Sequence, residues 1–367
     1  MNTPPPVRVP FNVLRPGDDR GVIDAAIARV IDSGWFVLGP EVAAFEAEFA
    51  AAAGAAYAVG VNTGTDALAL ALRALDIGRG DEVITSPLSA AYSALAIDMA
   101  GARPVFADID PERLTLDPAA VEAAITSRTR AIMPVHLYGQ PADLTGLGAI
   151  AARHGLAVVE DACQAHLATH RGVPVGRGSA AAAYSFYPTK NLGALGDGGA
   201  ITTDDLALAE RLRRLRNGGQ VSRYHHDERG VNSRLDELQA AVLRARLPYL
   251  AGRTDARRKL ATGYRAALHT GAVQVPRECD RGHVYHLFPV LVDERDRFQA
   301  HMRALGIETL IHYPVPIPRQ PAALAWSPAQ CPVADRICAN AVSLPLYPSL
   351  NASALAEVTS AIAAFSR

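Results

Sequence analysis

The sequence predicts an α/β fold: a large domain built on a mostly parallel central sheet covered by helices, plus a smaller C-terminal α+β domain. Three observations predict it. Between residues 57 and 203, short apolar runs alternate with helical patterns, as a parallel sheet with crossover helices requires. After Asp204 the pattern changes to longer helical stretches with few strands. The chain has 367 residues, long enough for one large domain and a smaller one.

Each element has its own signal. Residues 18–33 read as an amphipathic helix closed by Gly34. Residues 35–40 read as a turn, and Pro40 can open a second helix with Val42, Phe45 and Phe49 facing inward. Strands are expected at 57–61, 82–85, 104–107, 131–137, 156–160, 181–186 and 200–202, with helices at 66–75, 89–99, 118–125 and 144–154. Beyond them, 206–216 is helical, and 235–268 reads as a long helix interrupted near Pro248. A strand at 283–292, a helix at 297–305, a strand at 307–311 and helices near 333–340 and 352–365 complete the chain. The expected domains are 1–245 (large) and 246–367 (small), with the first helices free to pack on either.

Composition narrows the function. A net charge of −1 gives no electrostatic case for nucleic acid or an anionic membrane. No apolar run reaches membrane-spanning length. The N-terminus, Met1-Asn2-Thr3-Pro4-Pro5-Pro6, lacks the basic-then-apolar pattern of a signal peptide. Cys163, Cys279, Cys331 and Cys338 form no CxxC pair, so no metal site or disulfide framework is indicated, and a reducing cytoplasmic setting is expected.

Lysine usage points to chemistry. Lys190 and Lys259 are the only lysines, so 34 of the 36 basic residues are arginine. Arginine serves for surface charge and phosphate binding, but it cannot lose its proton and attack a carbonyl. Lys259 follows Arg257-Arg258 on a helical stretch, where a solvated charge suffices. Lys190 sits in the aromatic, Gly-rich loop Ser185-Phe186-Tyr187-Pro188-Thr189-Lys190-Asn191-Leu192-Gly193, ahead of Gly196, Gly198 and Gly199. A covalent role for its amine is expected.

Two further features fall at strand ends, where open α/β sheets bind ligands. Asn62-Thr63-Gly64-Thr65 is a strand-to-helix turn suited to a phosphate, although an ordinary N-cap reads the same way. Asp161, in Glu160-Asp161-Ala162-Cys163-Gln164-Ala165-His166, either caps the next element or faces a cationic ring nitrogen. Ser185 could hold a phosphate, and the glycines would let the backbone approach a cofactor. An amine, a carboxylate and a phosphate cradle are the parts pyridoxal phosphate needs.

Ordered blocks extend that proposal along nearly the whole chain. They include Gly34-Trp35, Leu38-Gly39-Pro40, Gly64-Thr65-Asp66-Ala67-Leu68, Val135-His136-Leu137-Tyr138-Gly139-Gln140, Glu160-Asp161-Ala162, Ser185-Phe186-Tyr187-Pro188-Thr189-Lys190, Asn232-Ser233-Arg234-Leu235-Asp236 and His312-Tyr313-Pro314. The chain resembles the sugar aminotransferases of the DegT/StrS type, within the aspartate-aminotransferase-like superfamily. The resemblance implies that Lys190 forms the Schiff base, Asp161 pairs with the pyridine nitrogen and Gln164 lies near the ring hydroxyl. It implies that Gly64, Thr65 and Ser185 hold the phosphate, and that Asn232 reaches the phosphate of a neighbouring subunit in a homodimer with shared active sites. It further implies transfer of an amino group from L-glutamate to a keto group of a nucleotide-linked sugar, with dTDP the expected nucleotide and a 3-keto or 4-keto-6-deoxy sugar the expected acceptor. Trp35, Tyr224, His225, His312 and Tyr313 match segments on the sugar and nucleotide side. His286 and His312 also suit hydrogen-bonded core positions.

The chain departs from the family pattern at two points. Ala90 stands where an aromatic residue would stack on the cofactor, with Tyr92 nearby but out of phase. Ala165-His166-Leu167-Ala168 replaces Ala-His-Gly-Ala. The alternatives are an aminotransferase for a cyclitol ketone, a lyase using the same cofactor, and a non-catalytic regulatory protein on the same scaffold.

Overall fold

The computed structural model describes residues 6–268, 271, 273–326 and 329–365. Residues 1–5, which carry most of the stretch read as lacking a signal peptide, lie outside them. Helices α1 (Arg20–Ser33) and α2 (Pro40–Ala53) precede the sheet. Then come β1 (Tyr57–Val61), α3 (Gly64–Ala74), β2 (Glu82–Thr85), α4 (Tyr92–Met99), β3 (Arg103–Phe106), α5 (Pro118–Ala124), β4 (Thr129–Met133), α6 (Leu144–His154) and β5 (Ala157–Asp161). The short β6 (Thr169–His170) and β7 (Val173–Pro174) lead to β8 (Ala181–Ser185), β9 (Gly199–Thr203) and α7 (Leu206–Leu215). A hairpin of β10 (Gln220–Ser222) and β11 (His225–His226) precedes α8 (Glu237–Arg246) and α9 (Leu250–Ala267). The C-terminal part holds β12 (Val273–Gln274), β13 (Phe288–Val292), α10 (Arg295–Ala304), α11 (Pro332–Asn340), β14 (Ala341–Leu344) and α12 (Ala352–Phe365).

The central sheet has the order β1-β9-β8-β5-β4-β2-β3. Neighbours from β8 through β3 pair in parallel, and only β9 runs against its neighbours. Alanines in β8 leave room for α3 to pack closely on the sheet, and Leu68, Leu70 and Leu72 of α3 are fully buried. Gly199 serves the same close approach: a Cβ there would lie 2.3 Å from the Thr63 carbonyl oxygen. This late glycine therefore lets main chains meet, rather than admitting a cofactor as the sequence reading expected.

A second core gathers around the antiparallel β12-β13-β14 sheet, with Tyr264, Phe288, Val290 and Phe298 buried in it. The expected 245/246 boundary falls one residue before the end of α8. α1 and α2 pack on α8, and the preceding segment goes the other way: Val9 pairs with Ile307 and is buried in the C-terminal core. Glu237 fixes the 35–40 turn by accepting the amides of Gly39 (2.8 Å), Glu41 (2.8 Å) and Val42 (2.9 Å), which caps α2.

Two expectations differ from the structure, and one strand was not expected. The strand at 283–292 begins only at Phe288, because the amides of Val284 and Leu287 bond to the carbonyls of Gly139 and Tyr138. Residues 307–311 make isolated bridges, Ile307 to Val9 and Leu310 to Ser343, instead of a strand. β14, hidden between a helix and a turn, had no signal of its own.

Candidate active site

Asp161 ends β5 at the carboxyl edge of the sheet. Successive strand residues point to opposite faces, so Glu160 and Asp161 part company. Glu160 is fully buried and accepts from His136 Nε2 (2.7 Å), the Gly176 amide (2.8 Å) and Ser179 Oγ. His136 Nδ1 accepts from the Ala142 amide, so Nε2 carries the proton donated to Glu160. Glu160 is thereby consumed by structure. Asp161 faces the other way: Oδ1 accepts from the Cys163 amide (3.1 Å) and Oδ2 from Ser93 Oγ (2.7 Å). The capping role is therefore present on Oδ1, while Oδ2 is held by Ser93.

Lys190 follows β8 in a loop closed by its amide bonding to the Tyr187 carbonyl (2.8 Å). Its ammonium has no hydrogen bond or ion pair among the described residues. Burial depresses its pKa, while Cys163 and then Asp161 draw it back up. A lysine poised in this way gives up its proton more readily than a solvated one, as a nucleophilic amine requires. Lys259, by contrast, is exposed.

The turn expected to hold a phosphate lies beside this pair. Helix α3 starts at Gly64, Thr63 Oγ1 accepts the Asp66 amide (3.0 Å), and no intrahelical partner exists for the Gly64 and Thr65 amides. A Cβ on Gly64 would lie 2.7 Å from Cys163 Sγ and 2.8 Å from Ser185 Cβ, so Gly64 and Ser185 are packed side by side. Ser185 Oγ accepts the Tyr187 amide at 3.3 Å, keeping its proton free to donate. A helix N-terminus, a flanking hydroxyl, an enclosed amine and a positioned carboxylate fit the groups of pyridoxal phosphate.

Gln164 is held at both ends: Oε1 accepts the Tyr138 amide (2.7 Å) and Nε2 donates to the Tyr313 hydroxyl (3.0 Å). Burial raises the Tyr313 pKa to about 12. His312 Nδ1 pairs with Ser343 Oγ (3.0 Å), and its ring packs on Phe11. The structure therefore joins Gln164 and Tyr313 to the Asp161 edge. Trp35, Tyr224, His225 and Asn232 are exposed, and no hydrogen bond, ion pair or ring contact among the described residues links them to Lys190 or Asp161. Trp35 Nε1 donates to the Val37 carbonyl (2.8 Å), and His225 lies 3.3 Å from Asp227. Ala90 is half-buried and Tyr92 exposed at the start of α4; the Tyr92 phenol lies within electrostatic reach of Tyr313.

This arrangement decides the class of protein. A model of the DegT/DnrJ/EryC1/StrS aminotransferase family matches residues 18–363. The chain belongs to this family. It is an aminotransferase, and pyridoxal phosphate is the cofactor of its family. It is 49% identical over 361 residues to "dTDP-3-amino-3,4,6-trideoxy-alpha-D-glucose transaminase" of Streptomyces venezuelae, covering 97% of this chain and 95% of that protein. It is 50% identical over 351 residues to "Erythromycin biosynthesis sensory transduction protein EryC1" of Saccharopolyspora erythraea, covering 94% and 95%. Among solved structures it is similar to S. venezuelae DesV in complex with a ketimine intermediate, with a TM-score of 0.96, 48% identity and 99% of each chain covered.

Sequence reasoning missed Ser93. It lies in the first turn of α4, three residues beyond Ala90, where attention went to the missing aromatic ring. A buried hydroxyl donating to a carboxylate is worth about 1.5–3 kcal/mol. Ser93→Ala in this aminotransferase should lower kcat/KM by roughly tenfold or more. Steady-state kinetics would show it, and wild-type values in that variant would deny Ser93 a positioning role.

Four histidines are held neutral around and beneath this site. Burial is the main cause in each case: His166 and His283 fall to about 3, His312 to about 4, and His286 far below its usual value. An unfolded chain binds these protons below pH 6.5 and the folded one does not. Their contribution is therefore complete above pH 6.5 and is lost as pH falls toward 4. Going from pH 7.5 to 5.5 should lower the unfolding free energy by about 1 kcal/mol per histidine. Urea denaturation at the two pH values tests this, and coincident midpoints would contradict it.

Proposed function

We propose that this chain transfers an amino group from L-glutamate to the C3 keto group of a dTDP-linked 6-deoxy sugar. The observation that carries the reading is one sheet edge bearing the enclosed Lys190 amine, the Ser93-held Asp161 and the α3 phosphate cradle. The sugar and position follow the name of the Streptomyces transaminase, which matches nearly the whole chain. Bound pyridoxal phosphate supplies the electron sink for carbanion chemistry. Lys190 would hold the cofactor through its amine and, as a free amine, would move a proton at the reacting carbon. Asp161 offers its carboxylate to the ring nitrogen, oriented by Ser93. Gly64, Thr65 and Ser185 bind the phosphate, and Gln164 and Tyr313 wall the site.

The decisive experiment is a screen of nucleotide keto sugars with L-glutamate, read by the mass of the aminated product. The expected result is amination of a dTDP-3-keto-6-deoxy sugar and none of the sugar lacking its diphosphate. Equal turnover of a cyclitol ketone would refute the nucleotide-sugar assignment. The name of the Saccharopolyspora relative favours a sensory role instead; cofactor binding without amination of any ketone would favour that reading.

The working unit is proposed to be a homodimer with shared sites. Asn232 is exposed, and its neighbour Ser233 is tied to Asp66 in the first turn of α3 (2.8 Å). Tyr224 and His225 project from the β10–β11 hairpin, and Trp35 is 56% exposed; their exposure supports a role toward a neighbouring subunit. Asn232→Ala should weaken cofactor affinity by about tenfold, the loss of one hydrogen bond to a charged group. Wild-type affinity in a strictly monomeric Asn232→Ala protein would refute sharing. A cytoplasmic setting suits the four free cysteines, and cell fractionation tests it.

A further inference from the structure

A cavity of about 720 Å³ lies between residues 12–19, the 188–193 loop, the start of α9 and the turn at 347–349. Lys190 lines it with the rest of that loop, whereas Gly64, Asp161, Gln164 and Ser185 do not, so the cavity adjoins the amine without including the α3 turn. Its size suits a metabolite.

The charge of its lining is unbalanced. Arg246 bonds to Asp19 (2.9 Å) and to the Gly193 carbonyl (2.6 Å). Arg253 pairs with Asp18 (2.9 Å) and Asp19 (3.1 Å). Those two arginines and two aspartates offset one another. Arg15 and Arg257 also line the cavity, and neither has a carboxylate partner among the described residues. Arg257 is the more informative of the two. It is 5% exposed, and its Nη1 donates to the carbonyls of Tyr285 (3.2 Å), His286 (3.3 Å) and Leu346 (2.7 Å). Its Nε and Nη2 make no hydrogen bond among the described residues. Burial lowers its pKa to about 10, so it remains a cation at neutral pH.

A buried cation without a counter-charge is costly, and carbonyl dipoles do not cancel a formal charge. The open edge of a guanidinium matches a carboxylate or phosphate in two parallel hydrogen bonds. We propose that this cavity is a binding site for a small carboxylate- or phosphate-bearing anion, gripped by Arg257 from the wall and Arg15 from the rim. Apolar surfaces from Tyr249, Tyr347 and Pro348 would cover the rest of such a ligand. This inference stands independently of the sugar assignment.

The test titrates the cofactor-loaded protein with inorganic phosphate, 2-oxoglutarate and thymidine diphosphate by calorimetry. Arg257→Gln removes the cation but also breaks three carbonyl contacts, so a second variant is needed. Gly252→Trp serves: Gly252 lines the cavity from within α9, and a Cβ there meets nothing within 4 Å, so the indole fills the space without strain in the helix. Wild-type protein should bind at least one of the three anions at one site per chain. Both variants should weaken that site by about tenfold or more while keeping the visible absorbance of lysine-bound cofactor. Binding of 2-oxoglutarate alone marks a carboxylate site, binding of phosphate and thymidine diphosphate a phosphate site, and binding of all three a general oxyanion site. Any binding that survives Gly252→Trp belongs to the catalytic cleft. The proposal is overturned if folded, cofactor-loaded Gly252→Trp binds all three as wild type does, or if the wild type binds none.

Discussion

Lys190→Ala should abolish turnover, with a loss of at least about four orders of magnitude, and should remove the visible absorbance of lysine-bound cofactor. General acid–base catalysis alone contributes up to about 10⁴, and this residue is also proposed to carry the covalent link. Lys190→Arg should fail equally, although it keeps the positive charge, because a guanidinium does not deprotonate near neutral pH. The arginine variant is the sharper of the two. The enclosed ammonium has no counter-ion of its own, and its pKa is already depressed by burial. If the site needed only a cation there, arginine would serve. Measurable turnover by either variant, free of contaminating wild type, would end the assignment. Borohydride treatment followed by peptide mass mapping should place the reduced cofactor on Lys190 and leave Lys259 unlabelled.

The second large effect is expected at Asp161. Asp161→Asn keeps the shape and keeps an oxygen for Ser93, so cofactor should still bind. What is lost is the negative charge proposed to face the ring nitrogen. At an effective dielectric near 20, a pair of charges about 4 Å apart is worth about 4 kcal/mol, or roughly a thousandfold in rate. The expected result is therefore a protein that is coloured but slow, with kcat reduced roughly a thousandfold. Glu160→Gln makes the contrasting case. Glu160 holds His136, Gly176 and Ser179, so its loss should lower stability more than it lowers kcat in the folded fraction. If Asp161→Asn kept near-wild-type kcat, the electron-sink role would belong elsewhere.

Much of the scaffold was legible in local pattern. α6 and α12 begin and end where their apolar spacing and caps placed them, and the break in the long helix falls at Pro248. Such signals are carried within a few residues: apolar periodicity, Gly or Asx caps, a proline without an amide hydrogen. The chain's two lysines singled out Lys190 by a chemical argument that needs no coordinates. Expectations failed where partners lie far along the chain. Residues 283–287 bond to 138–139 and so leave the β13 strand, and no pattern within ten residues of them announces it.

The sequence by itself determined the alternating strands and helices, the amine at 190, a carboxylate at a strand end and a glycine at a helix start. These follow from local propensity and from what each side chain can do chemically. Only the tertiary structure showed that Glu160, next to the Asp161 already singled out, is bound by His136, Gly176 and Ser179 on the opposite face. Strand geometry sends neighbours to opposite faces, but the sheet order and the packed helices choose which face is the site. The same packing brought Ser93 to Asp161 across 68 positions, spent the Gly199 position on contact between main chains, and left Arg257 buried without an acid. Those outcomes depend on distances between segments far apart in the chain, which local periodicity does not encode.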